Sequence, residues 1–372
     1  MTITTEPESH EAHAIDAATI DPAAVAEFAG RIFGHAVGGG ITLLVDVGHR
    51  AGLFEAAAGA GPLTSAALAD RIGGSERHVR EWLGGMTAAG VFAYDAGTQT
   101  YELPAAHAAV LTGERSSNIA PMAGGLALLA AHVPAVTRTL LEGGGISYDA
   151  YRPAFTSCMD QMMRRIYDDQ LLDGYVARVD GLSELLTDGV RVADIGCGTG
   201  HTTNLLARAF PASTFVGYDI AEDAIELARA EAARWQLPNV TFEVVDVAAL
   251  RGRFDVVFAF DCIHDQARPA DVLAAVRRSL SPHGVFVAVD IGVSSNLEDN
   301  IGHPLTPYVY TTSLFHCMQV SLAEGGAGLG TCWGRQTATR MLGEAGFEAV
   351  TIVEAPDDDP LNVILVGRAD AS

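Results

Sequence analysis

The second half of the chain alternates two kinds of segment, and this alternation restricts the possible folds more than any other feature of the sequence. From residue 190 onward, helical runs such as TTNLLARAF and ADVLAAVRRSL lie between short apolar or β-branched runs. These short runs are RVADI, FVGYDI, FEVVDV, FDVVFAF, GVFVAVDI, EAVTIVEA and LNVILVGRA. Alternating strands and helices predict a doubly wound α/β fold, with a mainly parallel sheet and helices on both faces. Ligands of such sheets bind beyond the carboxyl ends of the strands.

The first 145 residues have a mostly helical pattern instead. Thr64 or Ser65 is a suitable N-cap for one short helix and Ser75 for a second, and the runs VFAY and TYEL then flank the turn DAGT. A helix, a turn, a second helix and a hairpin predict a winged-helix domain. The glycines at 143–145, at the C-terminal end of this domain, form a candidate hinge. The predicted divisions are an acidic flexible tail (1–21), a winged-helix and dimerisation domain (22–145) and the α/β domain (146–372).

The charge of the chain argues against a nucleic-acid partner. The formal net charge is -23, and all 23 basic residues are arginines. Nucleic-acid phosphates would be repelled by such an excess of acid. The predicted recognition helix carries Arg77 and Arg80, which Glu76 and Glu81 balance. A DNA-binding helix usually has a basic face, so we predict a packing and dimerisation role for this module, with DNA binding as the alternative.

The cysteines and the apolar segments indicate a cytoplasmic protein without a membrane partner. There are five cysteines, an odd number, and they lie far apart with no CxxC. This spacing predicts neither a disulfide framework nor a zinc site, and no other metal cluster is evident. The N-terminal residues contain no apolar segment of the signal-peptide type. The most apolar stretch, 122–136, is shorter than the roughly 20 residues that span a bilayer and is predicted to be a buried helix.

A glycine-rich segment marks the predicted ligand site. The strand RVADI leads into Gly196, Gly198 and Gly200, and a helix follows. Glycines let the backbone approach a ligand closely, and the helix N-terminus offers free N–H groups. His201 stands where a dinucleotide fingerprint would have another glycine. Asp194, just before the loop, would repel a pyrophosphate but attract a ligand with an amino group.

Three further carboxylates follow successive strands. Asp219 lies about 20 residues beyond the glycines, where an acid suits the hydroxyls of a ribose. Asp246 ends the next strand and is placed to accept a hydrogen bond from an adenine amino group, and Asp261 ends the fourth strand. A ribose acceptor, an adenine acceptor and a glycine loop without phosphate chemistry together predict S-adenosylmethionine as the cofactor.

The motifs also resemble a known family. VADIGCGTG, FVGYDI, FEVVDV, FDVVFAF and LSPHGVFVAVD are similar to the successive motifs of class I S-adenosylmethionine-dependent methyltransferases. The segments LTSAALADRIGGSERHVREWLGGMTAAGVF and WGRQTATRMLGEAGF resemble bacterial small-molecule members with an N-terminal winged-helix domain. The resemblance implies a Rossmann-like fold, a small-molecule acceptor and a homodimer. It implies cofactor contacts by Asp194, Gly196, Gly198, Gly200, Asp219, Ile220, Asp246, Val247, Asp261 and Cys262.

The candidate base lies just after the fourth strand. The segment IHDQARP is similar to the one that contains the catalytic base in plant-type O-methyltransferases, although Gln266 replaces the usual Trp. His264 is therefore the predicted general base for O-methylation, and Asp265 is predicted to orient it. The alternative is that His264 only lines the pocket. N- or C-methylation, a cofactor-sensing DNA-binding regulator and a scaffold without turnover remain open.

The acceptor site is less marked in the sequence. A stripe of methionines and aromatics in 148–185 includes Tyr151, Phe155 and Met163. His316 lies in the 294–330 insertion, where a lid over the substrate is expected. We predict that these four residues line the acceptor pocket. The alternative is that they belong to the hydrophobic core or, for His316, that it is a structural histidine. The acceptor itself is not encoded in a readable pattern.

Overall fold

A computed structural model describes residues 20–356 and 359–369 of the chain. Its first part is helical except for one short hairpin. The elements are α1 (Pro22–Arg50), α2 (Leu53–Ala57), α3 (Ser65–Ile72), α4 (Glu76–Ala88), β1 (Ala93–Asp95), β2 (Thr100–Glu102), α5 (Ala105–Leu111), α6 (Ala120–Ala130) and α7 (Val133–Glu142). Most of the tail predicted at 1–21 lies outside the described residues. Asp21 is not part of a free tail, because its side chain caps α1 through the amide of Ala23.

The helix–turn–helix and hairpin form as predicted. Thr64 caps α3, and Ser75 is the N-cap residue of α4. The antiparallel pair β1–β2 follows, and Leu63 adds a bridge to Tyr101 that completes the wing. Trp82 lies at the centre of the apolar core of this domain, 5.3 Å from the ring of Phe54. The sequence pattern therefore predicted the winged helix correctly.

The α/β part is built on a seven-stranded sheet with the order β5-β4-β3-β6-β7-β9-β8. Its strands are β3 (Arg191–Ile195), β4 (Thr214–Asp219), β5 (Val240–Val244), β6 (Phe254–Phe260), β7 (Leu280–Ile291), β8 (Ala349–Glu354) and β9 (Asn362–Arg368). The first five are parallel, and β9 runs antiparallel to both of its neighbours. A buried cluster packs on each face of the sheet. The mainly parallel, Rossmann-like fold is thus confirmed.

Helices cover both faces and the carboxyl edge of this sheet. They are α8 (Ala154–Gln170), α9 (Leu182–Asp188), α10 (His201–Ala209), α11 (Glu222–Trp235), α12 (Pro269–Ser279), α13 (Leu297–Asn300), α14 (Thr306–Thr312), α15 (Met318–Ala323) and α16 (Gly334–Glu344). The π-helical turn Ser313–Cys317 joins α14 to α15 within the predicted insertion. Gly145 fits tightly against this region, since a Cβ there would lie 2.1 Å from the carbonyl oxygen of Gln319.

One prediction about an apolar helix needs correction, and one apolar helix was not singled out. The stretch 122–136 is not one buried helix, because α6 and α7 are bent by 53° at the break between them. Residues of α6 are mostly buried, whereas α7 carries the exposed Leu140 and Leu141. Among the described residues, α1 is long and apolar enough to cross a membrane, and so is the α6–α7 pair if it is counted as one bent span. The sequence analysis did not single out α1 in this respect.

Candidate functional site

The three glycines after β3 have different structural roles. All three have positive φ, between 52° and 72°. A Cβ on Gly196 would lie 2.6 Å from Cβ of Cys262, and one on Gly200 would lie 2.5 Å from Cβ of Ala228. A Cβ on Gly198 would meet no described atom within 4 Å. The outer glycines therefore allow close packing beneath the loop, while the middle one faces open space where a ligand can approach.

Asp219 ties the end of β4 to this loop. Its Oδ2 accepts a hydrogen bond from the amide of Gly198 at 2.8 Å, and its Oδ1 accepts one from the amide of Ala221 at 2.8 Å. Burial raises the pKa of this carboxyl above its ordinary value. The next side chain, Ile220, is 60% exposed at the carboxyl edge of the sheet. An uncovered isoleucine beside a fixed carboxylate is suited to pack against a flat ring.

The residues after β5 divide between surface and core. Asp246 accepts a hydrogen bond from the amide of Ala248 at 2.9 Å and pairs with Arg268 at 3.2 Å. Its carboxylate stays exposed. The side chain of Val247 is instead buried in the core. Of the two residues after β5 that were predicted to contact the cofactor, only Asp246 presents its side chain to solvent.

Asp194 is a buried carboxylate with spare hydrogen-bonding capacity. Its Oδ2 accepts hydrogen bonds from the hydroxyls of Thr202 and Thr203 at the start of α10. Its Oδ1 is buried and has no hydrogen-bond partner in the described structure. Burial raises its pKa to about 7. Such an oxygen lacks a donor group, and a ligand ammonium would supply one.

His264 is oriented by a residue that the sequence analysis did not single out. Its Nδ1 lies 2.6 Å from Oδ1 of Asp290, and both side chains are buried. The prediction that Asp265 holds this ring is wrong, because Asp290 of β7 occupies that position. Asp265 lies close enough for its charge to interact with His264. The parallel pairing of β6 with β7 places the two segments side by side, which linear spacing could not reveal.

The other face of His264 is directed to the insertion. Burial lowers the pKa of His264, but the charge of Asp290 outweighs burial and holds the pKa well above its ordinary value. The thiol of Cys317, in the π-helical turn, also interacts with this ring. Because Nδ1 faces Asp290, the ring nitrogen on the insertion side, where Cys317 lies, is Nε2.

Asp261 and Cys262 lie between the glycine loop and this histidine. Asp261 has φ 49°, an uncommon conformation for a residue other than glycine. Its Oδ2 accepts a hydrogen bond from the hydroxyl of Tyr167 at 3.2 Å. The thiol of Cys262 donates to the carbonyl of Ile195 at 3.0 Å and so closes the floor of the loop. Cys262 is thus part of the packing under the loop rather than an exposed contact.

Three of the four predicted acceptor residues form one aromatic cluster. The ring of Phe155 stacks on His316 with 4.2 Å between centroids, and Tyr151 packs against His316 at 4.7 Å. The hydroxyl of Tyr151 donates to the carbonyl of Phe315 at 2.6 Å. Burial lowers the pKa of His316 to about 3, and its Nε2 is buried without a partner in the described part of the chain. Met163 does not join this cluster and packs against the core beneath the sheet.

Helix α8 makes polar contacts that sequence reasoning missed. The hydroxyl of Thr199, in the glycine loop, donates to Asp160, which also pairs with Arg164 at 3.0 Å. Arg164 reaches Glu231 of α11 at 2.6 Å. His201 lies between Glu231 at 3.0 Å and Asp168 at 2.9 Å. Burial alone would raise the pKa of Glu231, but hydrogen bonds from His201 and Arg164 bring it down to about 2.

No group of three metal-ligating side chains occurs in residues 20–356 and 359–369.

Two family models match the chain. One is described as a methyltransferase domain and matches residues 186–346. The other is described as an Rv2258c-like winged helix-turn-helix domain and matches residues 39–113. The chain thus joins a winged helix-turn-helix domain to a methyltransferase domain.

Curated relatives match less than half of the chain. The chain is 38% identical over 118 residues to trans-aconitate 2-methyltransferase of Deinococcus radiodurans. The aligned region covers 31% of this chain and 42% of that enzyme. The chain is also 31% identical over 163 residues to malonyl-[acyl-carrier protein] O-methyltransferase of Bacillus cereus. This aligned region covers 42% of this chain and 54% of that enzyme. The chain thus spans about half the length of these relatives.

Solved structures share the fold over nearly the whole chain. Human N-acetylserotonin methyltransferase in complex with S-adenosylmethionine has a TM-score of 0.69 at 16% identity, covering 95% of this chain and 99% of that one. The mitomycin 7-O-methyltransferase MmcR has a TM-score of 0.68 at 18% identity, covering 94% and 100%. At this level of identity the likeness establishes the two-domain fold.

Proposed function

We propose that this protein transfers a methyl group from S-adenosylmethionine to an oxygen atom of a small molecule, with His264 as the general base. The observation that carries the proposal is the His264–Asp290 pair, with 2.6 Å between Nδ1 and Oδ1, at the carboxyl edge beside the glycine loop. The methyltransferase domain match supports the reaction class. The cofactor supplies an activated methyl group, so the protein's task is to position the reactants and to remove a proton.

The residues around the loop fit this cofactor. The unpartnered Oδ1 of Asp194 is suited to the ammonium group of the cofactor. The open space before Gly198 admits the cofactor's methionine part. Asp219 is suited to the ribose hydroxyls, while Ile220 and Asp246 are suited to the face and edge of the adenine. Ile220 and Asp246 are exposed, and Oδ1 of Asp194 has no hydrogen-bond partner among the described residues. The pyrophosphate of a dinucleotide would be repelled by the carboxylate of Asp194.

His264 would take the acceptor proton on Nε2. The carboxylate of Asp290 accepts the Nδ1–H hydrogen bond and so fixes the ring and its tautomer. It also stabilises the imidazolium that forms when the proton arrives. The aromatic cluster around His316 is the surface we assign to the acceptor, because flat rings and an unpartnered ring nitrogen favour a flat molecule with one polar group.

We further propose a cytoplasmic homodimer with no nucleic-acid or membrane partner. In α4, Arg77 and Arg80 pair with Glu81 and Glu76, so the helix presents little net positive charge. An electrophoretic mobility-shift assay at low salt, with and without S-adenosylmethionine, tests the competing hypothesis of a DNA-binding regulator. A cofactor-dependent shift with a defined DNA would contradict our proposal.

The proposed activity is tested by incubating the protein with labelled S-adenosylmethionine and a panel of phenols, carboxylates and amines, and by measuring product masses. A product on a phenol or carboxylate is expected. With a phenol as acceptor, His264→Ala should lower turnover by about 10²-fold or more, since a positioned base that removes its proton contributes on that order. A carboxylate acceptor is already ionised near neutral pH and should show no such loss. Cofactor affinity should stay near that of the wild type. His78→Ala, in the winged-helix domain, is the matched control, and unchanged turnover of the phenol by His264→Ala would overturn the assignment of the base.

A further inference from the structure

Two neighbouring strand ends carry carboxylates with unused oxygens. Phe260 of β6 is paired with Val289 of β7, so Asp261 and Asp290 lie side by side just beyond that pair. The amide of Asp261 donates to the carbonyl of Val289 at 2.9 Å. Oδ1 of Asp261 and Oδ2 of Asp290 are both buried and without a hydrogen-bond partner in the described chain. Asp290 is only 1% exposed, so water does not readily satisfy its free oxygen.

Negative charge exceeds positive charge around these two oxygens. Asp265 adds a third carboxylate, and its charge interacts with those of Asp290 and Asp219. The strongest electrostatic influences on Asp261 come from Asp290, His264, Asp359 and Tyr167. His264 is the one basic group among these influences. Buried charge without a partner is costly, so this group of carboxylates is suited to a cation.

The raised pKa values of these carboxyls agree with that excess of negative charge. Burial raises the pKa of Asp261 to about 7, and the charge of Asp290 adds to the effect. Burial likewise raises the pKa of Asp265 to about 7. Near pH 7 these groups therefore exchange protons, and a bound cation would favour their ionised forms.

The carboxylates lie next to the proposed cofactor loop. Cys262 follows Asp261 directly, and its Cβ is 2.6 Å from the Cβ position of Gly196. The loop and Asp219 face parts of the cofactor that are the same before and after methyl transfer. What changes is the sulfur, which is a cationic sulfonium in the donor and a neutral thioether in the product, because the electron pair of the broken S–CH₃ bond stays on sulfur.

We propose that Asp261, Asp265 and Asp290 select the cationic donor over its neutral demethylated product, so that loss of charge on sulfur promotes product release. This inference rests on the proposed function and adds to it the basis of donor–product discrimination. Charge pairing in a water-poor site acts on the donor alone. The product keeps the shared contacts and loses this one.

The test is isothermal titration calorimetry of Asp261→Asn and the wild type, with S-adenosylmethionine and with S-adenosylhomocysteine, at pH 8. We expect Asp261→Asn to weaken binding of S-adenosylmethionine about tenfold, as loss of one charge-assisted contact would. Binding of S-adenosylhomocysteine should change less than about twofold. Asp246→Asn is the matched control, because its carboxylate is predicted to face the adenine, and it should weaken both ligands equally.

A second measurement needs no variant. In the wild type, the preference for S-adenosylmethionine over S-adenosylhomocysteine should increase from pH 6 to pH 8, as Asp261 and Asp265 ionise. The inference would be overturned if Asp261→Asn weakened the binding of both ligands equally, or if the wild type's preference did not change with pH. Either result would leave the proposed function intact. Failure of the wild type to bind either ligand would instead overturn the proposed function.

Discussion

His264 and Asp290 illustrate how two strand ends combine at the scale of single residues. The histidine follows β6, and the carboxylate belongs to β7, 26 positions later in the chain. A sequence motif identified the histidine, but the nearest acid in the sequence, Asp265, is not the one that contacts Nδ1. The end of the fifth parallel strand carried a usable signal, since acids at strand ends had already been singled out at Asp219, Asp246 and Asp261.

The pair predicts a specific pH dependence. A base must be deprotonated to act, and Asp290 holds the pKa of His264 above its ordinary value, so activity should rise with pH through that raised value. Asp290→Asn removes the charge, lowers the pKa of His264 and should move the acidic limb of the kcat/KM profile to lower pH. The plateau should fall by roughly 10²-fold or more, because the amide also disturbs the ring tautomer.

The measurement is a pH–rate profile of the wild type and the variant with the acceptor found in the panel. Asp271→Asn, at an exposed position of α12, is the control and should leave the profile unchanged. An acidic limb that stays in place in Asp290→Asn would show that another group, not His264, sets it.

At the scale of elements, α8 connects the two halves of the site. One side of the helix carries Asp160, Arg164 and Asp168, which contact the glycine loop, α10 and α11. Another side carries Phe155, which belongs to the aromatic cluster around His316. The sequence predicted a helix here with an apolar stripe, but the polar partners lie more than 30 positions away, and no local pattern indicated them.

The contacts of α8 predict an effect on cofactor binding. Asp160→Ala removes the acceptor of the Thr199 hydroxyl and one partner of Arg164. A buried hydrogen bond to a charged group contributes about 1.5–3 kcal/mol of stabilisation. Because Asp160 is partly exposed, we expect its contacts to stabilise the bound loop by an amount at the lower end of that range. The Kd for S-adenosylmethionine, measured by calorimetry, should rise about tenfold.

The matched control is Asp149→Ala, which removes an exposed partner of Arg152 just before the same helix. Such exposed pairs contribute little, so the Kd should stay within about twofold of the wild type. Equal effects of the two substitutions would show that α8 does not position the glycine loop.

At the scale of the whole molecule, the alternation of strands and helices predicted the class of fold but not its arrangement. Period and composition identify strands, whereas the order β5-β4-β3-β6-β7-β9-β8 depends on which strands pair in space. The glycine loop could be predicted because glycine is the residue that readily adopts positive φ, as all three loop glycines do. The aromatic cluster joins Phe155 to His316, which are 161 positions apart in the chain, so its members could be proposed only one by one.

The exposed apolar side chains of helix α1 lead us to expect a dimer. Its apolar side chains are uncovered in the single chain, and Phe33 is 72% exposed. A face of this kind on the proposed dimerisation domain is expected to pack against a second copy. The exposed apolar residues of α1 are Val25, Phe28, Ile32, Phe33, Val37, Leu43 and Val47.

Sedimentation velocity should find the wild type as a dimer and Phe33→Glu shifted toward the monomer, because a charge in an apolar interface is costly to bury. Leu141→Glu, at a similarly exposed apolar position of α7, is the control and should remain dimeric. A monomeric wild type, or binding of the wild type but not of Phe33→Glu to lipid vesicles, would contradict the homodimer.

The aromatic cluster contains no strand residues. Its members come from the segment around α6–α8 and from the insertion between β7 and α16, whereas the glycine loop and the acids follow the strands. Exchange of those two segments between homologous chains should therefore redirect the enzyme to new acceptors, provided that Asp160, Arg164 and Asp168 of α8 are kept, because they contact the glycine loop, α10 and α11. Diversification of chemistry in such a lineage would then proceed through peripheral insertions, with the central sheet as a constant frame.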